Sequence, residues 1–225
     1  MTRHLHREVE NLKQRILALS AVVEENVQRS VRALVNRDRA GAAEAIRIDE
    51  EQIDQAEVDV EEECLKILAL HQPVASDLRF IIAVLKINSD VERIGDMAVN
   101  IAERADYLAD ACFAEAPIDI RAMCEKAQSM LKGSLDALVN LDADLARRVC
   151  ADDDQVDNLN RDNYAAIQDR IRQFPEEIEC LMHILAVSRH LERIADHATN
   201  IAEDVVYMVE GEIVRHRAKD YATQF

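Results

Sequence analysis

Apolar residues recur along the chain in alternating steps of three and four, which is the spacing of one face of an α-helix. The first segment shows this spacing at six positions: Leu5, Val9, Leu12, Ile16, Leu19 and Val23. A polar stretch at 140–144 interrupts the pattern, as do the few glycine and proline residues, near Gly41, Pro73, Pro117, Pro175 and Gly211. The pattern therefore predicts six amphipathic helices of about 25 to 35 residues each.

The third and the sixth predicted helices carry the same apolar seam, one hundred residues apart. The first seam consists of Phe80, Val84, Ile87, Val91, Ile94, Ala98, Ile101, Ala105 and Leu108. The second consists of Cys180, Ile184, Val187, Leu191, Ile194, Ala198, Ile201, Val205 and Met208. Such seams are typical of helical bundles, and three helices suffice to surround an apolar axis. We predict an all-α fold of two tandem three-helix bundles, at residues 1–114 and 115–225; a solenoid is the alternative, but solenoids usually need three or more repeats.

The duplication extends to polar positions, since residues 91–103 and 191–203 match at nine of thirteen positions. At about 100° per residue, three matching residues form one strip opposite the seam in each copy. These are Glu92, Asp96 and Asn100 in the first copy, and Glu192, Asp196 and Asn200 in the second. The preceding helix of the first copy has an acidic strip at Glu50, Asp54, Glu57 and Glu61. The corresponding strip of the second copy keeps Asp153 and Asp157 but has Asn160 and Tyr164 in place of the other two acids.

Two facing carboxylate strips supply the oxygen-rich, negative surroundings that hard or borderline cations require. The twelve acidic and asparagine residues of these strips therefore predict surface sites for a divalent or iron-type metal ion, with the second site weaker. The alternative is that an acidic protein simply exposes solvated carboxylates on its outer helix faces. The two asparagines favour the site, because asparagine is a poor helix former that a solvated face does not require.

Composition and net charge argue against several classes of function and location. The chain has 44 acidic against 27 basic residues and a formal charge of −17, which repels nucleic acids and anionic lipid headgroups. Five cysteines without a Cys-x-x-Cys pair indicate reduced, mostly buried thiols. The amino-terminal residues lack the apolar stretch of a secretory signal, and the longest apolar run, Phe80 to Leu85, is too short to span a membrane. We expect a soluble intracellular protein that binds no nucleic acid.

Catalytic signatures are missing from the sequence. It contains no Glu-x-x-His pair of the di-iron bundles, no Gly-rich phosphate loop, no Gly-x-Ser-x-Gly and no His-Glu-x-x-His. His197 follows the motif residue Asp196, but Met97 stands in its place in the first copy, so we do not expect a shared histidine ligand. The sequence predicts a protein that is not an enzyme.

The duplicated Glu-Arg-Ile-Gly/Ala-Asp-x-x-x-Asn-Ile-Ala-Glu motifs and the stretch Gln72-Pro-Val-Ala-Ser-Asp-Leu-Arg79 closely resemble the PhoU family over nearly the whole chain. The resemblance implies two three-helix bundles and a cytoplasmic negative regulator of the phosphate-starvation response that also restrains phosphate uptake. It implies two partners, the nucleotide-binding subunit of a high-affinity phosphate ABC transporter and a sensor histidine kinase. It further implies a homodimer that reaches the inner face of the cell membrane only through these partners.

The family's Glu/Asp-x-x-x-Asp motifs are associated with metal binding on the bundle surface. The resemblance places them on Glu92 with Asp96 and on Glu192 with Asp196, and the companion motif on Glu50 with Asp54 and on Asp153 with Asp157. The alternative function is accordingly a metal-binding bundle whose carboxylate clusters store metal or support metal-dependent chemistry.

Overall fold

The computed structural model describes residues 3–110 and 118–211 and consists of helices joined by short turns. The helices are α1 (Arg3–Asn36), α2 (Arg39–Ile48), α3 (Asp54–His71), α4 (Ala75–Leu108), α5 (Ile120–Asn140), α6 (Ala143–Gln173) and α7 (Ile178–Glu210). A π-helical turn, Asp49–Ile53, joins α2 to α3 without a break, and a 3₁₀ turn, Pro175–Glu177, precedes α7. The described part of the chain thus forms six long helices and no strand, which confirms the predicted fold class. α5, with 21 residues, is shorter than predicted.

Local sequence explains where the helices begin. Asp38, Asp119 and Asp142 occupy N-cap positions, and each carboxylate accepts a hydrogen bond from a backbone N–H of the first turn. This contact satisfies a donor that the helix itself leaves unpaired. The break predicted near Gly41 lies at residues 37–38, so that Gly41 falls in the first turn of α2.

The chain leaves several helices through residues in the left-handed conformation, at Gln72, Leu141 and Gly211. These positions agree with the breaks predicted near Pro73, at 140–144 and near Gly211. The break predicted near Pro117 and the boundary between residues 114 and 115 lie outside the described residues, so that the division into 1–114 and 115–225 stays a prediction.

Both predicted seams form the centre of the molecule. Seventeen of their eighteen residues are buried, and Phe80 is partly buried. α4 of the first half packs along α7 of the second, and the apolar cluster continues from one half into the other. The direction is antiparallel, because Asp90 meets His197 whereas Met97, further along α4, meets His190.

Among the described cysteines, three agree with the prediction of reduced thiols and one does not. Cys64, Cys124 and Cys150 are buried free thiols, and burial raises the pKa of each to about 12, so that they stay protonated. Cys180 is instead part of a disulfide, which corrects the expectation of reduced thiols throughout.

Among the described helices, none combines the length and apolar character needed to cross a lipid bilayer.

Candidate functional site

The π turn and the start of α3 lie against the middle of α4, and this packing brings acidic side chains of the three elements together. We call this group the first-half cluster: Asp49, Glu50, Asp54, Glu57, Glu61, Glu92 and Asp96. Six of these seven residues are predicted site residues. The sequence pattern therefore identifies the acids that meet at this surface, with the exception of Asp49.

Crowding of like charges perturbs the first-half cluster. Burial raises the pKa of Glu92, and repulsion from Asp96 raises it further. Burial and then repulsion from Glu61 likewise raise the pKa of Glu57. Ionisation of these carboxyls is disfavoured because each negative charge is partly removed from water and lies near others. A cation beside the cluster would relieve both effects.

Amide side chains fix part of this geometry. Asn88, buried on α4, donates from Nδ2 to Oε1 and to the backbone carbonyl of Glu57, both at 3.0 Å. Asn100 donates from Nδ2 to the backbone carbonyl of Asp96 at 2.7 Å, so that its amide is held on its own helix. The side chain of Glu57 is thus held in place by α4.

Asp49 is the residue that the sequence analysis missed. It is only 7 % exposed, and its Oδ1 has no hydrogen-bond partner. Burial raises its pKa to about 7, and repulsion from Asp54 and Asp96 contributes. The carboxylate fits because α4 has Gly95 opposite, where a Cβ atom would lie 2.6 Å from Oδ1. A glycine inside a helix, where the second copy has Ala195, is the sequence signal that points to this close approach.

The second-half cluster lies between α6 and α7 and consists of Asp153, Asp157, Glu192 and Asp196, all predicted site residues. Partial desolvation, followed by repulsion from Glu192 and Asp153, raises the pKa of Asp196 to about 6. Burial also raises the pKa of Asp153, although Thr199 Oγ1 donates to its Oδ1 at 3.1 Å and opposes the shift. The second half thus repeats the crowding of the first with fewer acids.

Asn200, the last predicted residue of this strip, contacts the other half of the molecule. Its Nδ2 donates to Oδ1 of Asp90 on α4 at 3.2 Å, and His197 Nδ1 lies 2.7 Å from the same oxygen. His197 therefore links the two halves.

A groove of about 450 Å³ opens beside the second-half cluster. Its polar and aromatic lining comprises Asp157, Asn160, Arg161, Tyr164, Gln168 and Glu192. Asn160 and Tyr164, the two positions where the second copy departs from the acidic strip of the first, thus line a cleft of mixed chemistry.

The acidic clusters are not arranged as a closed metal cage. Within residues 3–110 and 118–211, no group of three or more His, Cys, Asp or Glu side chains is placed so that it could hold a metal ion. The carboxylate and amide donors suit a hard cation, and the orphaned oxygen of Asp49 offers one more acceptor. The arrangement therefore fits a hydrated cation that takes one or two carboxylates and keeps several waters.

Comparison with known proteins gives consistent matches. Residues 16–105 and 120–205 each match the family model described as the PhoU domain. The chain is 38 % identical over 219 residues to the phosphate-specific transport system accessory protein PhoU homolog of Pseudomonas aeruginosa, which covers 96 % of this chain and 89 % of the relative. The homolog of the same description from Aquifex aeolicus is 38 % identical over 213 residues, covering 95 % and 96 %.

Solved structures show the same architecture. The crystal structure of PhoU from Pseudomonas aeruginosa has a TM-score of 0.88 at 38 % identity, covering 92 % of this chain and 99 % of that one. The phosphate transport system regulatory protein PhoU from Streptococcus pneumoniae has a TM-score of 0.82 at 32 % identity, covering 93 % and 99 %.

Proposed function

This chain belongs to the PhoU family, and on that premise we propose that, as an accessory protein of phosphate transport, it is a negative regulator of the phosphate-starvation response and of phosphate uptake. It acts as a non-enzymatic cytoplasmic adaptor between the high-affinity phosphate ABC transporter and a sensor histidine kinase. The match of nearly the whole chain to phosphate-specific transport accessory proteins carries this proposal.

The shape of the molecule supports an adaptor. Long helices offer extended faces to partner helices, and the duplicated halves supply two related surfaces. One surface contacts the nucleotide-binding subunit of the transporter and the other contacts the kinase. The protein works as a homodimer that reaches the membrane only through these partners.

The test is alkaline phosphatase activity in a deletion strain of the source organism, grown on ample phosphate. Loss of the regulator should derepress phosphate-scavenging genes and raise the activity, and the wild-type protein should restore it to the low level. Unchanged activity in the deletion strain would contradict the proposed function.

A second candidate function, cation binding, is favoured by the crowded acids of the first-half cluster and the unpartnered Oδ1 of Asp49. We propose that a hydrated divalent or iron-type ion binds at this surface through one or two carboxylates of the strip formed by Glu92 and Asp96 with Glu50 and Asp54. Such an ion supplies positive charge that favours the ionised form of Glu92, whose pKa is raised by burial and by repulsion from Asp96.

Metal analysis of the untagged protein tests cation binding. Glu92→Ala combined with Asp96→Ala should lower the metal content, whereas the control pair Glu125→Ala and Asp136→Ala on α5 removes the same charge from exposed positions and should not. Unchanged metal content in the first variant would show that the strip is a solvated face. The same two variants, used in the phosphatase assay, reveal whether the cluster serves regulation.

A further inference from the structure

The groove beside the second-half cluster differs in chemistry from the corresponding surface of the first half. With offsets of 103 on α6 and 100 on α7, its polar and aromatic lining corresponds to Asp54, Glu57, Val58, Glu61, Leu65 and Glu92. The first half thus places four carboxylates and two aliphatic side chains where the groove has two carboxylates, one guanidinium, one phenol and two amides. The duplicated surfaces therefore differ in the chemistry that they offer to a ligand.

The charged side chains in and near the groove determine whether it favours a cation or an anion. Asp157 and Glu192 outnumber Arg161 within the lining, and Asp153 and Asp196 lie close to Glu192 and Asp157. Arg161 directs Nη1 to Asn158 Oδ1 at 2.8 Å. The local field is therefore negative, and a cation is favoured over an anion.

The remaining groups favour an organic cation over a metal ion. Tyr164 is 52 % exposed and supplies an aromatic surface, and an amide side chain, Gln168, lies one helical turn further along α6. An aromatic face attracts a guanidinium by stacking and by its quadrupole, whereas a carboxylate accepts paired N–H bonds from it. The face of the phenol ring offers no oxygen lone pair, which is what a hard metal ion requires of a ligand.

The floor of the groove is held in place by a buried network. Ser188 Oγ donates to Asn160 Oδ1 at 2.9 Å, and Asn163 Nδ2 donates to Ser188 Oγ at 3.1 Å. Glu192, from α7, is half-buried beside these groups. Asn160 is thus held in place, which lowers the entropy that this part of the lining loses on binding.

We propose that this groove is the docking site for an arginine side chain presented by a partner protein. The guanidinium stacks on Tyr164 and pairs with Asp157 and Glu192. Charge complementarity selects this occupant on a chain of net charge −17. The existence of a protein partner rests on the proposed adaptor function, whereas binding of the guanidinium group itself is tested without any partner.

The experiment is an NMR titration of the full-length chain with N-acetyl-arginine methylamide, and with the citrulline analogue as the uncharged control. Shifts should be confined to the groove and correspond to a Kd on the order of millimolar, as expected for a single side chain. Tyr164→Ala and Glu192→Gln should each weaken binding about fivefold. Tyr164→Phe keeps the ring and should retain the affinity.

Two further variants sharpen the result. Arg161→Ala removes a repelling charge and should tighten binding of arginine, whereas it would weaken binding of an anion. Glu125→Ala removes an exposed acid of α5 that does not line the groove and should leave the affinity unchanged. Equal shifts with citrulline, shifts centred on the first-half cluster, or weaker binding by the Arg161→Ala variant would each overturn the proposal.

A failure of the adaptor function gives a different signature. If deletion of the gene leaves alkaline phosphatase activity low, the regulatory role is wrong, and the titration still decides whether the groove binds a guanidinium. If deletion raises the activity, Tyr164→Ala combined with Glu192→Gln should fail to restore repression, whereas Glu125→Ala combined with Asp136→Ala should restore it.

Discussion

Burying a carboxylate oxygen without a hydrogen-bond partner costs free energy. The Oδ1 atom of Asp49 is buried in this way. Its neighbours are further acids, so that nothing described beside it compensates the charge. The residue is tolerated because it is protonated near neutral pH or because a cation shares its surroundings. Either condition links the stability of the first half to the solution.

The direction in which pH changes the free energy of unfolding follows from the pKa of Asp49. The pKa of Asp49 is about 7 in the folded chain against an ordinary value of 3.8, so that the native state binds more protons between about pH 4 and pH 7. The free energy of unfolding should therefore fall as pH rises through this range. We predict that Asp49→Asn removes part of this slope and stabilises the protein at pH 8 by on the order of 2 kcal/mol.

Urea denaturation at pH 5 and pH 8 measures this effect. Asp152→Asn changes the exposed counterpart in the second half and should leave the slope as it is in the wild type. A slope that Asp49→Asn does not alter would contradict the assignment. Added divalent cation should raise the unfolding midpoint of the wild type at pH 8 more than at pH 5, because ionised Asp49 adds a negative charge to the cluster above its pKa of about 7.

Gly95 and Asp49 are predicted to be energetically coupled. Gly95→Ala places a Cβ atom 2.6 Å from Asp49 Oδ1 and 3.2 Å from Ile53 Cγ2, which forces a shift in packing. We expect a loss of about 1–3 kcal/mol in the free energy of unfolding. In the Asp49→Ala background the same change should cost much less, and a double-mutant cycle by urea denaturation measures the difference. Equal costs in both backgrounds would show that the two residues do not interact.

At the scale of the elements, the π turn explains how Asp49 becomes buried. The buried apolar positions step from Ile48 to Ile53, five residues, where an α-helix would step three or four. The extra residue lets both Ile48 and Asp49 turn inward before α3 resumes its regular face. π turns often occur at functional sites, and this one lies at the acidic cluster.

Much of this architecture can be predicted from periodicity. The seams of α4 and α7 follow from apolar spacing alone, because a helix face repeats regularly and its apolar residues must be buried. The carboxylates of Glu92 and Asp96 can be placed on one strip of α4 from the same helical spacing. Their crowding with the preceding helix is a reasonable expectation from a three-helix bundle.

The rest depends on features that a regular pattern does not contain. Asp49 begins a run of four polar residues, at 49–52, so that the pattern does not predict its burial. It faces inward because of the π turn. The groove at Tyr164 arises from the spacing between two helices, which no single-helix pattern specifies. Asn200 lies on the predicted strip but contacts Asp90, because the antiparallel packing of the halves brings α4 to it.

The start of α6 depends on a single cap. Asp142 Oδ1 accepts from the backbone N–H of Leu145 at 2.9 Å, and residue 141 before it is left-handed. We predict that Asp142→Ala lowers the free energy of unfolding by about 1 kcal/mol, because a first-turn N–H loses its acceptor. Asp142→Asn keeps an oxygen acceptor and should retain most of the stability in chemical denaturation. An equal loss in both variants would assign the effect to charge instead.

At the scale of the whole molecule, the two halves share one core. The apolar cluster runs through the contact between α4 and α7, and polar pairs flank it. Asp90 pairs with His197 at 2.7 Å, and Lys86 pairs with Asp204 at 3.1 Å. Separating the halves would expose both seams to water, at a large cost in hydrophobic free energy.

We therefore predict that the protein unfolds as one cooperative unit. Calorimetry should show a single transition whose calorimetric and van't Hoff enthalpies agree. Ile194→Ala, at a fully buried seam position of α7, should destabilise the protein by about 2–4 kcal/mol and move the whole transition. Two peaks, of which only one moves, would show that the halves are thermodynamically independent.

The antiparallel pairing of α4 with α7 is reciprocal: position 90 meets position 197, and position 190 meets position 97. Positions 190 and 197 are the counterparts of positions 90 and 97 at the repeat offset of one hundred residues. This is the isologous geometry of a two-fold dimer, contained here within one covalent chain. In a homodimer every substitution appears in both subunits at once. When the two copies are fused in one chain, each can change separately. The packing of one copy on the other then no longer depends on protein concentration. One repeat could therefore acquire Asp49 with Gly95 while the other acquired Tyr164, which broke the symmetry of the pair without breaking its fold.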